Sequence, residues 1–400
     1  MKVRYQYRIY PTPGQQSKLA RLFGCCRVVW NDALALIKSI PKGEKWPSNT
    51  ELQKLCITHA KQTKERHWLA EVSNIPLQQS IRDLAAALKN FFESRKGKQV
   101  GFPRFKKKTN EQSARFTRGG FAIKGKKVYL AKIGEVKTKW SRPLPSEPSS
   151  VTVIKDCAGR YFLSFVVEIE PVHIEPKNQG VGVDLGLETL ATLSTGEKVK
   201  APDTSALDRK IRKGKRKLAR AVKGSKRRER LRMAIARMES KQRHIRKDFN
   251  QKLATRLVRD NSVVVLEDLN VSGMMKNRQL ARAIRRAGWR QIRTMCEAKG
   301  KMIADREVRV INRWEPTSQV CSCCGYRWGK LDLSIRSVVC LNCGAEHDRD
   351  ENASKNIEAA GRCRPEWANA KQCKTSMEAV ACLPTHQEPA ECWQTGNPRP

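Results

Sequence analysis

The chain has 400 residues and carries 80 Lys and Arg against 39 Asp and Glu, a formal net charge of +41. Self-repulsion of that size opposes compaction and marks a polyanion partner, with nucleic acid favoured over an anionic membrane surface. No apolar run is long enough to span a bilayer and Met1-Lys-Val-Arg-Tyr5 has no signal core, so no membrane is expected and the prokaryotic cytosol or nucleoid is the expected location.

In chain order, residues 2 to 9 alternate, with Val3, Tyr5, Tyr7 and Ile9 on one side and Lys2, Arg4, Gln6 and Arg8 on the other, which predicts a half-buried strand. After Pro11, Pro13 and Gly14 the apolar residues Leu19, Leu22, Phe23, Cys26, Val29, Trp30, Ala33 and Ile37 recur at helical spacing to about Ile40. Ser48-Asn-Thr-Glu51 reads as a capping box opening a second helix. A third starts near Pro76, with Leu77, Ile81, Leu84, Leu88 and Phe91 inward. Residues 14–96 therefore form a helical insert after the first strand. Gly101-Phe-Pro-Arg-Phe-Lys106 mixes aromatics with bases, and Arg104, Phe105 and Lys106 suit base stacking and phosphate contact; a solvated charged loop is the plain alternative. Short strands follow from 115 to 169, with a hairpin pairing 151–154 and 161–167, and with residues 2 to 9 they form a small β-barrel over 1–13 and 97–170. A polar segment at 171–179 marks a domain boundary.

The third region opens on a buried strand, Val181-Gly-Val-Asp184, followed by a hairpin turning at Thr195-Gly196. Between Arg209 and Arg259 stand 22 Lys and Arg against three acids, in a helical hairpin broken at Lys223-Gly-Ser-Lys226, and the surplus points to phosphate contact. Ser262-Val-Val-Val-Leu-Glu267 is a second buried strand; one helix from about Gln279 to Lys299 and a strand over 307–311 follow. Cys321-Ser-Cys-Cys324 and Cys340-Leu-Asn-Cys343 lie fifteen residues apart, and two such knuckles present four thiolates to one tetrahedral Zn²⁺; ordinary buried cysteines are the alternative. Fourteen cysteines in a reducing compartment fit metal and free thiols rather than disulfides. A last helix starts at Asp350, with His347 and Asp348 placed either as supporting groups or, for Asp348, as its cap. Residues 362–400 read as a disordered tail whose cysteines are free thiols.

The chemistry follows from three acids: Asp184 in a strand, Glu267 at a strand end and Asp350 at a helix start. A mixed sheet with surrounding helices can bring them together, and three converging carboxylates need cations. Two Mg²⁺ or Mn²⁺ ions, roughly 3.5–4 Å apart, would bridge a scissile phosphate and activate a water.

Asp184 in Val-Asp-Leu-Gly, Glu267 in Leu-Glu-Asp-Leu-Asn and Asp350 in Asp-Arg-Asp-Glu-Asn-Ala resemble the three parts of a RuvC-type nuclease site, and the knuckles fall between the second and third. With Trp314-Glu-Pro-Thr-Ser-Gln319, Tyr7-Arg-Ile-Tyr-Pro11, the 101–106 segment and Gly288-Trp289, the chain to about residue 360 resembles the TnpB family of insertion sequences, relatives of the type V CRISPR effectors. The resemblance implies a wedge β-barrel with the helical recognition insert, and a RuvC/RNase H-like α/β nuclease domain over 180–320 and 344–361. It implies a zinc-ribbon target-loading module over 321–343. It also implies a guide RNA from the element's end, one protein per RNA or a dimer, and double-stranded DNA cut beside a short transposon-adjacent motif. The family's Leu-Gln segment near that motif matches Leu77-Gln78, which carries Gln78 over as a nucleic-acid contact. Two other readings stay open: a guide-independent transposase or resolvase using the same acids, and an RNA-guided binder that does not cleave.

Overall fold

A computed structural model describes residues 1–362 apart from 42, 95–99, 110 and 333, so the tail and its cysteines lie outside the described residues. The chain divides into two compact units, 1–170 with 204–244, and 171–203 with the residues from 245 on.

In the first unit, β1 (Lys2–Tyr10) alternates as its sequence requires, with Tyr7 and Ile9 buried and Lys2, Arg4 and Gln6 exposed. α1 (Pro13–Ser39) starts on a capping box in which Thr12 and Gln15 satisfy each other's backbone N–H groups. Its buried stripe, Leu19, Leu22, Cys26, Val29, Ala33 and Ile37, is the one the periodicity gives. Ser48 and Glu51 form the expected box at α2 (Asn49–Gln53), after which the helix loosens into a π turn over 54–59. α3 (Asn74–Glu93) buries Leu77, Ile81, Leu84 and Leu88 in the same core as α1 and the sheet, so the helical insert has no separate core.

The strands β2 (Gln112–Thr117), β3 (Phe121–Lys124), β4 (Lys127–Leu130), β5 (Gly134–Lys139), β6 (Ser150–Lys155) and β7 (Tyr161–Glu168) join β1 in one antiparallel sheet, ordered β2-β6-β7-β1-β5-β4-β3. The predicted hairpin is β6 on β7, with Val153 opposite Leu163. Phe121 on β3 and Phe165 on β7 are four strands apart, about 19 Å on a flat sheet, yet their rings are 6.3 Å apart. The sheet is therefore strongly curled. The expected small barrel is present as a half-barrel: among the described residues no ladder joins β2 to β3, and β2 meets the helices, through Arg27 Nη1 to Gln112 Oε1 at 2.9 Å and an Arg115–Asp83 ion pair.

The basic hairpin is α4 (Ser205–Arg220) and α5 (Lys226–Asp260). Gly214 lets Ile235 pack close, Gln242 holds Asp208, and Arg228 caps the carbonyls of Leu218 and Ala221 at 2.7 Å. Every Lys and Arg of α4 is exposed. Sequence reading placed this hairpin within 180–320, but residues 204–244 group with the first unit, where Met233 packs over Gly159 and Arg160 bonds Ser240.

The second unit is built on a five-stranded mixed sheet. The strands are β8 (Asn178–Asp184), β9 (Ala191–Leu193), β10 (Lys198–Val199), β11 (Asn261–Glu267) and, beyond the short α6 (Val271–Met274), α7 (Ala281–Ala287) and α8 (Trp289–Gly300), β12 (Glu307–Ile311). The order is β10-β9-β8-β11-β12, with β8, β11 and β12 parallel and β9 and β10 antiparallel. The single helix expected over 279–299 is two, because Gly288 sits at φ 69° and ends α7 with its N–H on the Ile284 carbonyl. That break turns Trp289 inward, and its indole donates to the Gly186 carbonyl at 3.1 Å, just past the end of β8. β13 (Ser337–Val339) and β14 (Glu346–Asp348) form a ribbon, and α9 (Arg349–Arg362) lies on the sheet. No helix among the described residues is long and apolar enough to cross a membrane.

Candidate metal centres

Leu266 pairs with Val183, so the next residues, Glu267 and Asp184, stand side by side at the carboxyl ends of two parallel strands. The third acid arrives on α9, which approaches the sheet to an unusual closeness. A Cβ on Gly182 would lie 2.0 Å from the Ser354 carbonyl oxygen and 2.6 Å from the Glu358 nitrogen, and a Cβ on Gly361 would lie 2.4 Å from both Val265 methyl groups. The two glycines let helix backbone rest against strand, and this places Asp350, in the first turn, close enough for its charge to act on Asp184.

The electrostatics single out Asp184. Burial first, then the Glu267 and Asp350 charges, push its carboxyl up to about 7. Burial also raises Glu267, against the Thr317 hydroxyl, which donates to Oε1 at 2.8 Å. The adjacent Asp268 is different. Arg313, then Arg293 with Nη1 at 2.7 Å, hold its carboxyl below the usual range, so it is committed to ion pairs. Asp350 has Arg336 Nη1 at 3.6 Å. The oxygens of the three acids do not all lie within 4.8 Å of one another. The donor set, all carboxylate oxygen, suits Mg²⁺ or Mn²⁺.

The four knuckle sulfurs do lie within 4.8 Å of one another, with Cys321–Cys343 at 3.8 Å and Cys324–Cys340 at 3.5 Å. A zinc tetrahedron with Zn–S bonds of about 2.3 Å has S···S edges of about 3.8 Å. The two turns repeat one another: Gly325 and Gly344 have φ 75° and 71°, and each donates its N–H to the first cysteine's carbonyl. His347 is buried with Nε2 3.0 Å from Cys321 Sγ, so it supports the cluster, and Asp348 caps α9 through the Glu351 N–H at 3.0 Å. For Asp348, burial works upward but the Lys198 ammonium at 2.7 Å and the backbone N–H of Glu351 outweigh it and keep the carboxyl low. Cys340→Ser should abolish stoichiometric zinc and expose 320–347 to protease, checked by metal analysis and limited proteolysis; full zinc retention would contradict the four-thiolate site.

The nucleic-acid candidates fare unevenly. Gln78 and Arg104 are exposed, and Phe105 is 46% exposed with Lys38 Nζ 4.6 Å above its ring. Lys106 is turned inward: its ammonium sits 3.8 Å over the Trp30 ring, burial lowers its pKa, and its backbone is held by Asn31. Trp30 also donates to the Arg104 carbonyl, so residues 104–106 are fastened to α1. Thr317 and Asn352 stand inside the motifs of the family resemblance and Asn356 just beyond, but the sequence gives none of the three a role of its own. The last two stand four apart behind Asp350, a spacing that puts both on one face of α9.

Residues 164–278 match the family profile described as "Probable transposase" (OrfB of IS605), residues 289–357 the "Cas12f1-like, TNB domain", and residues 1–45 a "Helix-turn-helix domain". The last stretch is here a strand and one long helix. A Streptomyces pristinaespiralis protein named "Putative RNA-guided DNA endonuclease" is 42% identical over 90% of both chains. Escherichia coli K12 has a "Putative RNA-guided DNA endonuclease InsQ" 30% identical over 89% of this chain and 92% of its own. The fold resembles that of Cas12f1 in a complex with single guide RNA and target DNA, with TM-score 0.50, 16% identity and coverage of 86% of this chain and 81% of the other. The chain belongs to the TnpB family.

Proposed function

We propose that the protein is an RNA-guided, metal-dependent DNA endonuclease encoded by a transposable element. The observation that supports this reading best is the register that sets Glu267 beside Asp184 at the ends of two parallel strands, with burial and the Glu267 and Asp350 charges raising Asp184 to about 7. Relatives bearing the name RNA-guided DNA endonuclease favour it over a guide-independent transposase or resolvase, which the acids alone would equally serve.

On this reading Asp184, Glu267 and Asp350 would hold Mg²⁺ ions in a RuvC-type site. When bound, the ions supply positive charge where phosphate charge builds and lower the pKa of the attacking water. The rest falls to the chain itself. Trp289 fixes the loop after Asp184, Thr317 orients Glu267, and α9 carries Asp350 in against the strand. The exposed bases of α4 would neutralise RNA or DNA phosphates, and 321–343 would be the zinc-bearing target-loading module. A guide RNA from the element's end would choose the site, next to a short adjacent motif that Gln78 helps to read.

The test is reconstitution. The protein co-expressed with its element's end should copurify with one RNA species, and the complex should cut a plasmid matching that guide in Mg²⁺ but leave a mismatched plasmid whole. Cleavage of both plasmids alike would favour the guide-independent reading, and binding without cleavage the non-cutting one.

A further inference from the structure

The loop entering the zinc knuckle is tied to the acid site by a continuous set of hydrogen bonds. Thr317 is 7% exposed, and its hydroxyl bonds Glu267 Oε1 at 2.8 Å. Its carbonyl accepts from Asn356 Nδ2 at 2.8 Å, and the same amide donates to the Val320 carbonyl at 2.7 Å. Asn352, 1% exposed, donates to that Val320 carbonyl at 2.7 Å and accepts the Ser322 N–H at 2.8 Å. The two asparagines thus clamp 317–322, and Cys321 lies inside the clamped stretch. A β-hydroxyl can fix one carboxylate oxygen only if its backbone is fixed, and α9 bonds this backbone at Thr317, Val320 and Ser322, on either side of the knuckle sulfur of Cys321.

We propose that Thr317 is a positioning residue for the Glu267 carboxylate, and that the zinc module holds Thr317 in place, so that zinc occupancy governs cation binding at the acids. The inference rests on reading Asp184, Glu267 and Asp350 as a cation site, and it adds a second, structural metal as the regulator of that site. Threonine is suited to the task because its methyl group restricts the side chain to few rotamers.

The experiment is a Mn²⁺ titration of the full-length protein–RNA complex followed by electron paramagnetic resonance, which needs no turnover. Thr317→Val keeps the shape and loses the hydroxyl, and should weaken Mn²⁺ binding roughly tenfold, as loss of a hydrogen bond to a charged group does. Thr317→Ser should restore it, and Asn356→Asp, which cannot donate to the two carbonyls, should weaken it in the same direction. Chelating zinc should weaken Mn²⁺ binding in the unaltered protein and add nothing in Thr317→Val, the non-additivity of a shared path. Circular dichroism checks that each variant is folded. If the zinc-free protein unfolds, zinc is a requirement of the whole fold and its role as a regulator of the acids is overturned, and the valine–serine comparison with zinc present then decides the positioning role of Thr317 alone. Equal Mn²⁺ binding by Thr317→Val and the unaltered protein, or additive effects of valine and zinc removal, would overturn the inference. Asp184→Ala separates the two failures: if it leaves Mn²⁺ binding intact the acid-site reading itself falls, and if it abolishes binding while Thr317→Val does not, only the role of Thr317 falls.

Discussion

Asp184→Ala should reduce guided cleavage by roughly a thousandfold or more, while RNA copurification and zinc content stay as they are. The size follows from the several kcal/mol that charge stabilisation by a bound metal ion supplies to a phosphate reaction, at about 1.4 kcal/mol per factor of ten. Asp184 is the acid most dependent on a cation, since burial, then Glu267 and Asp350, lift its carboxyl to about 7. The pH dependence has a definite sign. Below about 7 the folded protein holds a proton on Asp184 that the unfolded chain has released down to its ordinary carboxylate range. Between those limits the native state binds more protons, so metal-free stability falls as pH rises through the window. Cation binding must displace that proton, so the Mg²⁺ concentration giving half-maximal cleavage should rise as pH drops below 7. Thermal melts and Mg²⁺ titrations from pH 5.5 to 8 check both statements, and a flat Mg²⁺ requirement would mean that Asp184 is ionised throughout.

Gly182→Ala should be the most damaging single-methyl change in the second unit. The added Cβ meets the Ser354 carbonyl oxygen at 2.0 Å and the Glu358 nitrogen at 2.6 Å, both helix backbone with no rotamer to relieve the clash. Helix α9 must lift off β8, taking Ile357 out of the core and Asp350 away from Asp184. Overpacking commonly costs about 1–3 kcal/mol, and rigid backbone on both sides puts this case at or above the upper end. Gly180 is the control, on the same strand and facing the same helix: its Cβ would meet Glu358 Oε1 at 3.4 Å and Val263 O at 3.5 Å, ordinary contacts. Gly180→Ala should keep near-normal melting and cleavage where Gly182→Ala loses both. Equal behaviour of the two would show that α9 does not rest on Gly182.

These two residues also mark what a sequence can and cannot disclose. The strands that end in Asp184 and Glu267, the knuckle spacing and the element order were legible because each rests on local pattern: alternation, valine-rich runs, fixed cysteine spacing, capping boxes. The β8–β11 register that sets Glu267 beside Asp184 follows from two buried strands of matched length. Gly182 was not legible as a packing site, because a glycine between two valines says nothing about what approaches it. The Gly288 break was hidden by helix-favouring neighbours on both sides and shows only in the positive φ. Lys106 looked like a phosphate contact because its neighbours are basic and aromatic, yet Trp30, seventy-six residues earlier, takes its ammonium. The half-barrel was not legible either, since β2 bonds to α1 and α3 through residues far apart in the chain. Thr317 acquires its place only when α9 folds back over the knuckle.

The most direct measurement of the central claim is an anomalous difference map from crystals of the RNA complex soaked in Mn²⁺. Density for Mn²⁺ within coordination distance of Asp184, Glu267 and Asp350 together, at about 2–2.3 Å from carboxylate oxygens, is the expected result. Mn²⁺ bound elsewhere, with those three side chains unliganded in a cleavage-competent complex, would contradict it.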